Sequence, residues 1–510
     1  MPRFGHPEIS DRLEPAHVLN LMPAVPPTPD DHEPTTPPLP TPEDQPEPGL
    51  SGFTAMDELE ELADLHEPDL PFMAQVVTDR RILTGLEQFS GEAALLDEVL
   101  NSASNTPDDW VQRGLQLLQL GYVKEASLSF DQALKLDPNH YYALSHQSAL
   151  LGQAGDYETV IQLCSRVLEL RPQDPRAWYN RGYAQVRLHQ FEAAIACFDR
   201  ALRYRPSSAK TWYQRGKALF FLGRQVEAVD SFEAAVKRRP DFHQALRMRG
   251  IILGQMNDYA AAIAALDHAL AVDPKDEKAW YHKAYAHWQL QQLPDALACF
   301  EQALALKPQD ANLWCCHGTT LLRLKQPDQA MASFQQAINL DPGNHQAWCR
   351  QGIIYFQRQD WDATIAACNQ AIAQHPHYAQ ALYYKGQALN ALGQTEDALY
   401  QYRQALTIQS YSHKIWFSAG LALQRMQHFQ EALNTFDKAL ELEPRDPDTL
   451  YAKAQCWMKL NQPEPALQQL QQAIALQATV CASKASQDPI FEPLRAEPRF
   501  RALVRARSAS

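Results

Sequence analysis

The spacing of apolar residues along this chain changes twice. From residue 107 to 480, large apolar side chains recur three, four and seven apart, and the whole arrangement repeats every 34 residues, eleven times, with no insertion. The fourth position of each unit is Trp or Leu, from Trp110 and Leu144 through Trp178 and Trp212 to Leu450. Four residues on stands a small residue every time, such as Gly114, Gly182, Gly216, Ala284 or Ser148. The twentieth position is Ala in nine units, the twenty-seventh is Ala in ten, and Pro stands at the thirty-second in nine. Ahead of this array, residues 79–103 place Ile82, Leu86, Phe89, Ala93, Leu96 and Leu100 on one helical stripe, weakened by Gly85 and Gly91. Further upstream, FTAMDELEELADL (53–65) sets Phe53, Met56, Leu59, Leu62 and Leu65 at three-residue intervals among acids.

Each recurrent position has a physical reason. Apolar residues on one face predict a first helix, and the small residue in that face lets a second helix approach closely. The two alanines do the same on the second helix, around an aromatic such as Phe130, Phe198, Phe232 or Phe334. Pro ends the unit because it has no N–H to donate and clashes with the preceding turn. One such hairpin cannot bury its own apolar face, so the units must stack into a continuous core.

The spacing Trp–small–Ala–aromatic–Ala–Pro, as in WYNRGYAQVRLHQFEAAIACFDRALRYRP (178–206), resembles the bacterial type of tetratricopeptide repeat, in eleven tandem copies. The resemblance implies an all-α fold, a right-handed α-solenoid of helix-turn-helix repeats in which first helices line the concave surface. It also implies that DPIFEPLRAEPRFRALV (488–504) closes the last repeat through Ile490, Phe491, Leu494, Phe500, Leu503 and Val504. The pattern weakens towards the C-terminal end, where Ser410 and Ala478 replace the closing Pro. The expected organisation is an arm over 1–71, a helical cap over 72–106, repeats over 107–480 and a closing segment over 481–510. The repeats are 107–140, 141–174, 175–208, 209–242, 243–276, 277–310, 311–344, 345–378, 379–412, 413–446 and 447–480.

Charge changes this picture. The chain carries a formal net charge of -14, and residues 1–71 hold 16 of its acids against only Arg3 and Arg12, together with 16 of its 35 prolines. A segment so acidic and Pro-rich cannot offset its ordering entropy by burial, so it is expected to be disordered. The remainder is formally neutral, yet unevenly so. The first fourteen residues of the eleven repeats hold nineteen Lys/Arg and four Asp/Glu. Arg113, Arg181, Arg215 and Arg249, just before the small residue, are expected on the packing seam with buried stems. The positions that the resemblance turns to the groove carry eleven bases, opposed by Asp108 and Asp448.

The residues expected to line a peptide groove are Tyr179, Arg187, Lys210, Tyr213, Lys217, Phe220, Arg247, Lys278, Tyr281, Tyr285, Trp288, Arg323, Arg350, Phe356 and Tyr383. A basic concavity favours anionic ligands, and aromatic walls give rigid contact area. The expected activity is therefore that of a non-catalytic scaffold for an acidic, partly apolar peptide or disordered segment. The arm, and residues 53–65 above all, can act as an intramolecular pseudo-ligand. Alternatives are a single-stranded RNA-binding solenoid, against which the acidic arm and near-neutral array argue, and an assembly factor for a partner enzyme or complex.

The basic-plus-asparagine pattern of chaperone-tail binding is missing, since the ninth-position partner of Arg247 is Ile251 and no ninth position is Asn. No phosphate-loop, zinc-protease or nucleophile-elbow motif occurs. Cys315, Cys316, Cys349, His317 and His345 fall in adjacent repeats without chelate spacing, so structural thiols are expected, with no metal and no cofactor. With neither a signal peptide nor eighteen consecutive apolar residues, the expected location is the cytoplasm, without a membrane span.

Overall fold

The computed structural model describes residues 106–505, and within them every regular element is helical. The arm, with its 53–65 segment, and the apolar stripe at 79–103 lie outside the described residues. Helices alternate as pairs, for example Pro175–Arg187 with Phe191–Tyr204, Ala209–Phe221 with Gln225–Arg238, and Glu277–Gln289 with Leu293–Leu306. Each pair packs tightly on itself, and each second helix packs on the first helix of the next pair, giving an α-solenoid.

The glycine of the first helix faces the side chain sixteen positions later, an aromatic in most repeats but Leu266 opposite Gly250 and Cys368 opposite Gly352. A Cβ placed on Gly216 would come within 2.9 Å of the Phe232 ring, and one on Gly182 within 2.8 Å of Phe198. Phe130, Phe198, Phe232, Phe300, Phe334 and Phe436 are fully buried, each contributing about 1.5–3 kcal/mol by leaving water.

Trp at the fourth position does more than fill space. The indole N–H of Trp178, Trp212, Trp280, Trp314 and Trp348 donates to the carbonyl oxygen of Pro172, Pro206, Pro274, Pro308 and Pro342 at 2.9–3.1 Å, tying each first helix to the turn before it. Trp416 makes the same bond to Ser410 at 2.7 Å. The acceptor is a backbone oxygen, so losing the proline leaves the tie intact.

The proline is also dispensable as a helix stop. The second helix Thr395–Ile408 ends at the usual place although Ser410 follows, because Gln409 takes φ -129 and ψ 74, close to Arg171 at φ -137 and ψ 84. In the last repeat Gln477 has the same conformation, and with no Pro behind it a new helix, Ala478–Gln487, starts at once. A 3-10 turn, Pro489–Leu494, and the helix Pro498–Arg505 follow. Phe491, Leu494 and Phe500 are buried there against Leu467, Leu470 and Cys481, with Ile490, Leu503 and Val504 partly buried at the edge.

The link inside each pair is set by its fifteenth residue, left-handed in all eleven repeats. Four are glycines (Gly121, Gly155, Gly223, Gly393), and the others are His189, Asn257, Gln291, Lys325, Gln359, Gln427 and Asn461, with φ between 56 and 64°.

Candidate functional site

First helices of neighbouring repeats touch one another along the stack, whereas second helices meet each other more weakly. First helices therefore form the inner layer, and their free faces are the candidate surface.

The seam arginines leave that surface. Arg215 binds Asp199 and Ser231, both at 2.7 Å, and its guanidinium lies over the Trp212 ring. Lys283 repeats the arrangement with Asp267 at 2.6 Å and the Trp280 ring. These cations hold repeats together by pairing with an acid sixteen residues earlier.

The residues read from the sequence as groove-lining separate into three groups. Lys210 is exposed, while Tyr179, Arg187, Lys278, Tyr285, Arg323, Arg350, Phe356 and Tyr383 are half-buried. Tyr213, Lys217, Phe220, Tyr281 and Trp288 are 4–8% exposed and pack as walls behind the surface. Tyr213, for example, lies against Phe232 and Phe242, with ring centroids 5.6 and 5.0 Å away. Arg247 forms the third group. Its Nη1 donates to Asp276 Oδ2 at 2.8 Å, and the two side chains are 12% and 3% exposed.

Cations and rings are interleaved on this layer. The Arg187 guanidinium sits 5.3 Å from the Tyr157 ring centre, that of Arg323 lies 4.7 Å from Trp288, and Lys217 Nζ lies 5.8 Å from Tyr213. Tyr179 stacks on Tyr183 at 6.4 Å and 19°. Gln289 donates to the Tyr285 hydroxyl at 2.6 Å, and Gln387 bridges the hydroxyls of Tyr383 and Ser418 at 2.8 and 2.9 Å. Phe356 meets Trp361 and Tyr384 edge-on. Burial, with the Arg187 charge second, lowers the Lys217 pKa to about 8.

At the N-terminal end of the array the inner layer opens into a cavity of about 650 Å³. Its walls include Leu115, Leu118, Val123, Leu150, Tyr142 and Tyr179, and its charged groups are Arg176, Arg205, Lys210 and Asp174. Asp174 is already engaged, accepting a 2.5 Å hydrogen bond from the Tyr141 hydroxyl while capping the helix that begins at Pro175. His146, also in the wall, stacks on Phe130, and burial followed by the Arg176 charge holds its pKa below the ordinary value. Of these, Arg205, Asp174, Tyr141 and His146 escaped the sequence reading. Arg205 lies just past a second helix. Tyr141 and Asp174 stand at the first and last positions of their repeat, outside those expected to face the groove, and His146 stands at a groove-facing position but is neither a Lys/Arg nor a Tyr/Phe/Trp.

The nine cysteines are free and buried. Burial pushes the Cys164 thiol up to about 12 and the Cys315 thiol up to about 11, which disfavours the nucleophilic thiolate. Among the described residues no group of three or more His, Cys, Asp or Glu could hold a metal ion, and no helix is long and apolar enough to cross a membrane.

Family models of the tetratricopeptide repeat match residues 110–140, 147–206, 179–242, 247–311, 317–376, 360–413 and 423–480. Among solved structures, the C-terminal part of a repeat-containing protein from Cytophaga hutchinsonii is similar at 17% identity, over 47% of this chain and 98% of that one, with a TM-score of 0.42. The Cut9–Hcn1 hetero-tetramer of the APC/C is similar at 13% identity over 78% and 98%, with a TM-score of 0.40. YrrB, a protein of this repeat type described as having an unusual peptide-binding site, is similar at 23% identity over 39% and 99%, with a TM-score of 0.33. A comparison with curated proteins finds no match.

Proposed function

Because the chain belongs to the tetratricopeptide repeat proteins, a family of protein-interaction scaffolds, we propose that its inner layer captures an acidic, partly apolar segment of a protein partner. The observation that carries this reading is the N-terminal cavity. There, apolar walls adjoin three cations, and the one acid present is bound to a tyrosine hydroxyl. Carboxylates of a ligand would be steered by Arg176, Arg205 and Lys210 and its apolar side chains seated between Leu115, Leu118 and Tyr142. Further along the stack, Arg187, Lys278, Arg323 and Arg350 extend a basic track between half-buried rings. Charge gives this track its on-rate and its selectivity, while the aromatic contacts hold the complex.

The test uses a fluorescent thirteen-residue peptide alternating Asp/Glu with Leu/Phe, titrated against the full chain. Lys210→Glu with Lys278→Glu is expected to weaken binding at least tenfold. Lys237→Glu, on a second helix and 70% exposed, is expected to leave it unchanged. Equal losses from the inner and outer substitutions would overturn the reading.

A further inference from the structure

The cavity at the N-terminal end points to an occupant within the same chain. We infer that residues 53–65 dock in it and regulate access to the inner layer, a step that rests on the peptide-capture reading above.

Complementarity is the first argument. The segment FTAMDELEELADL carries Asp57, Glu58, Glu60, Glu61 and Asp64 with no base, and spaces its apolar residues between them. The cavity offers the opposite, with Arg176, Arg205 and Lys210 around an apolar floor. Two of its apolar groups are conspicuously open to solvent, Tyr142 at 53% and Val123 at 45%. An apolar surface bordered by cations selects a ligand that pairs leucines with carboxylates, and 53–65 is the densest such stretch of residues 1–71.

Reach is the second argument. Forty residues separate Leu65 from Thr106. With the expected stripe at 79–103 as a helix, that part spans about 37 Å, and the other fifteen residues, as a flexible chain, add roughly 19–23 Å r.m.s.. The cavity starts close to where the described chain begins. Leu115 stands eight residues into the helix Pro107–Gln119, only about 12 Å along its axis. A tether matched to its span gives effective concentrations on the order of mM, so weak intrinsic affinity suffices for occupancy. An external partner must then displace the segment, and its apparent affinity falls by the occupied fraction.

The remaining charge of the arm acts in the same direction. Residues 1–71 carry 16 acids against two bases, so electrostatic attraction brings the arm to the cation-rich first helices, and the apolar motif selects one place among them. Salt weakens the attraction while leaving the apolar seating in place.

The experiment keeps the chain whole. A photo-crosslinking amino acid replaces Leu62, and crosslinked peptides are mapped. Crosslinks within residues 115–123, 141–153, 174–180 or 205–211 are expected; crosslinks elsewhere, or none, overturn the inference. In parallel, the labelled 53–65 peptide is titrated against the native chain and against a chain with Leu59→Asp and Leu62→Asp in its arm. The altered chain is expected to bind the peptide at least tenfold more tightly, and adding Arg176→Glu with Lys210→Glu to it is expected to remove that gain. Equal affinity of native and altered chains overturns self-docking. The peptide-capture reading stands or falls separately, on whether the arm-altered chain binds the generic acidic-apolar peptide and loses it with Lys210→Glu and Lys278→Glu.

Discussion

Arg247 and Asp276 form a bridge between successive first helices. Asp276 Oδ2 accepts from Arg247 Nη1 at 2.8 Å, while Oδ1 accepts from the backbone N–H of Ala279 at 3.0 Å. One carboxylate thus caps the helix Glu277–Gln289 and receives the guanidinium of the helix before it. Removing one partner of a buried pair strands the other, at about 3–5 kcal/mol. Arg247→Ala is accordingly expected to destabilise the array by that amount, with loss of hydrogen-exchange protection centred on Glu277–Gln289. Lys210→Ala, at an exposed site, should change stability by less than about 0.5 kcal/mol.

Lys217 gives a pH signature. Its pKa lies at about 8 in the folded chain, below the ordinary 10.5. Below pH 8 both folded and unfolded states carry the charge, and the folded state bears the full cost of burying it. Between pH 8 and 10.5 the unfolded chain holds a proton that the folded chain has shed, so stability rises with pH across this window. Lys217→Met is expected to abolish that rise and to stabilise the protein at pH 7 by at most about 3 kcal/mol. Chemical denaturation at pH 7, 9 and 10.5 checks both the sign and the window.

The contact between Gly216 and Phe232 predicts the cost of a single methyl group. A Cβ at 2.9 Å from the ring forces Phe232 to shift, and overpacking of this kind costs about 1–3 kcal/mol. The repeat at 277–310 already pairs Ala284 with Phe300, both fully buried, so a ring can be accommodated over alanine. Gly216→Ala should therefore fall at the lower end of that range in a thermal melt, with the fold retained.

At the fifteenth position the strain is relieved by substitution. Gln291 and Lys325 hold φ of 60 and 59°, a conformation that disfavours a Cβ. Gln291→Gly and Lys325→Gly are each expected to raise stability by about 0.5–1 kcal/mol, the left-handed penalty removed less the entropy of glycine. The midpoint of urea unfolding should move up without a change in slope.

Much of the architecture was legible because its determinants are local and periodic. Gly216 and Phe232 lie sixteen residues apart in one unit, and the Trp212–Arg215 pair sits on one helical turn, so each recurs in register. The left-handed fifteenth residue was not legible, since only four of eleven are glycine. Nor was the double use of Asp276, because position 34 of one repeat meets position 5 of the same repeat through the following helix. Lys217 and Tyr213 were read as surface from their helical positions. Tyr213 is buried against Phe232 and Phe242, and Lys217, buried too, lies beside the Tyr213 ring; packing between elements is not contained in a single-helix projection. Arg205 was missed for a related reason: it enters the cavity from the end of a second helix.

Salt dependence tests the central claim, that the inner layer captures an acidic, apolar segment, most directly. The dissociation constant of the fluorescent acidic-apolar peptide is measured from low to high salt, for the native chain and for Arg176→Glu with Lys210→Glu. The account predicts a steep loss of affinity with salt in the native chain, and a weaker, nearly salt-independent interaction in the substituted one. The same affinity and the same salt slope in both proteins would contradict it.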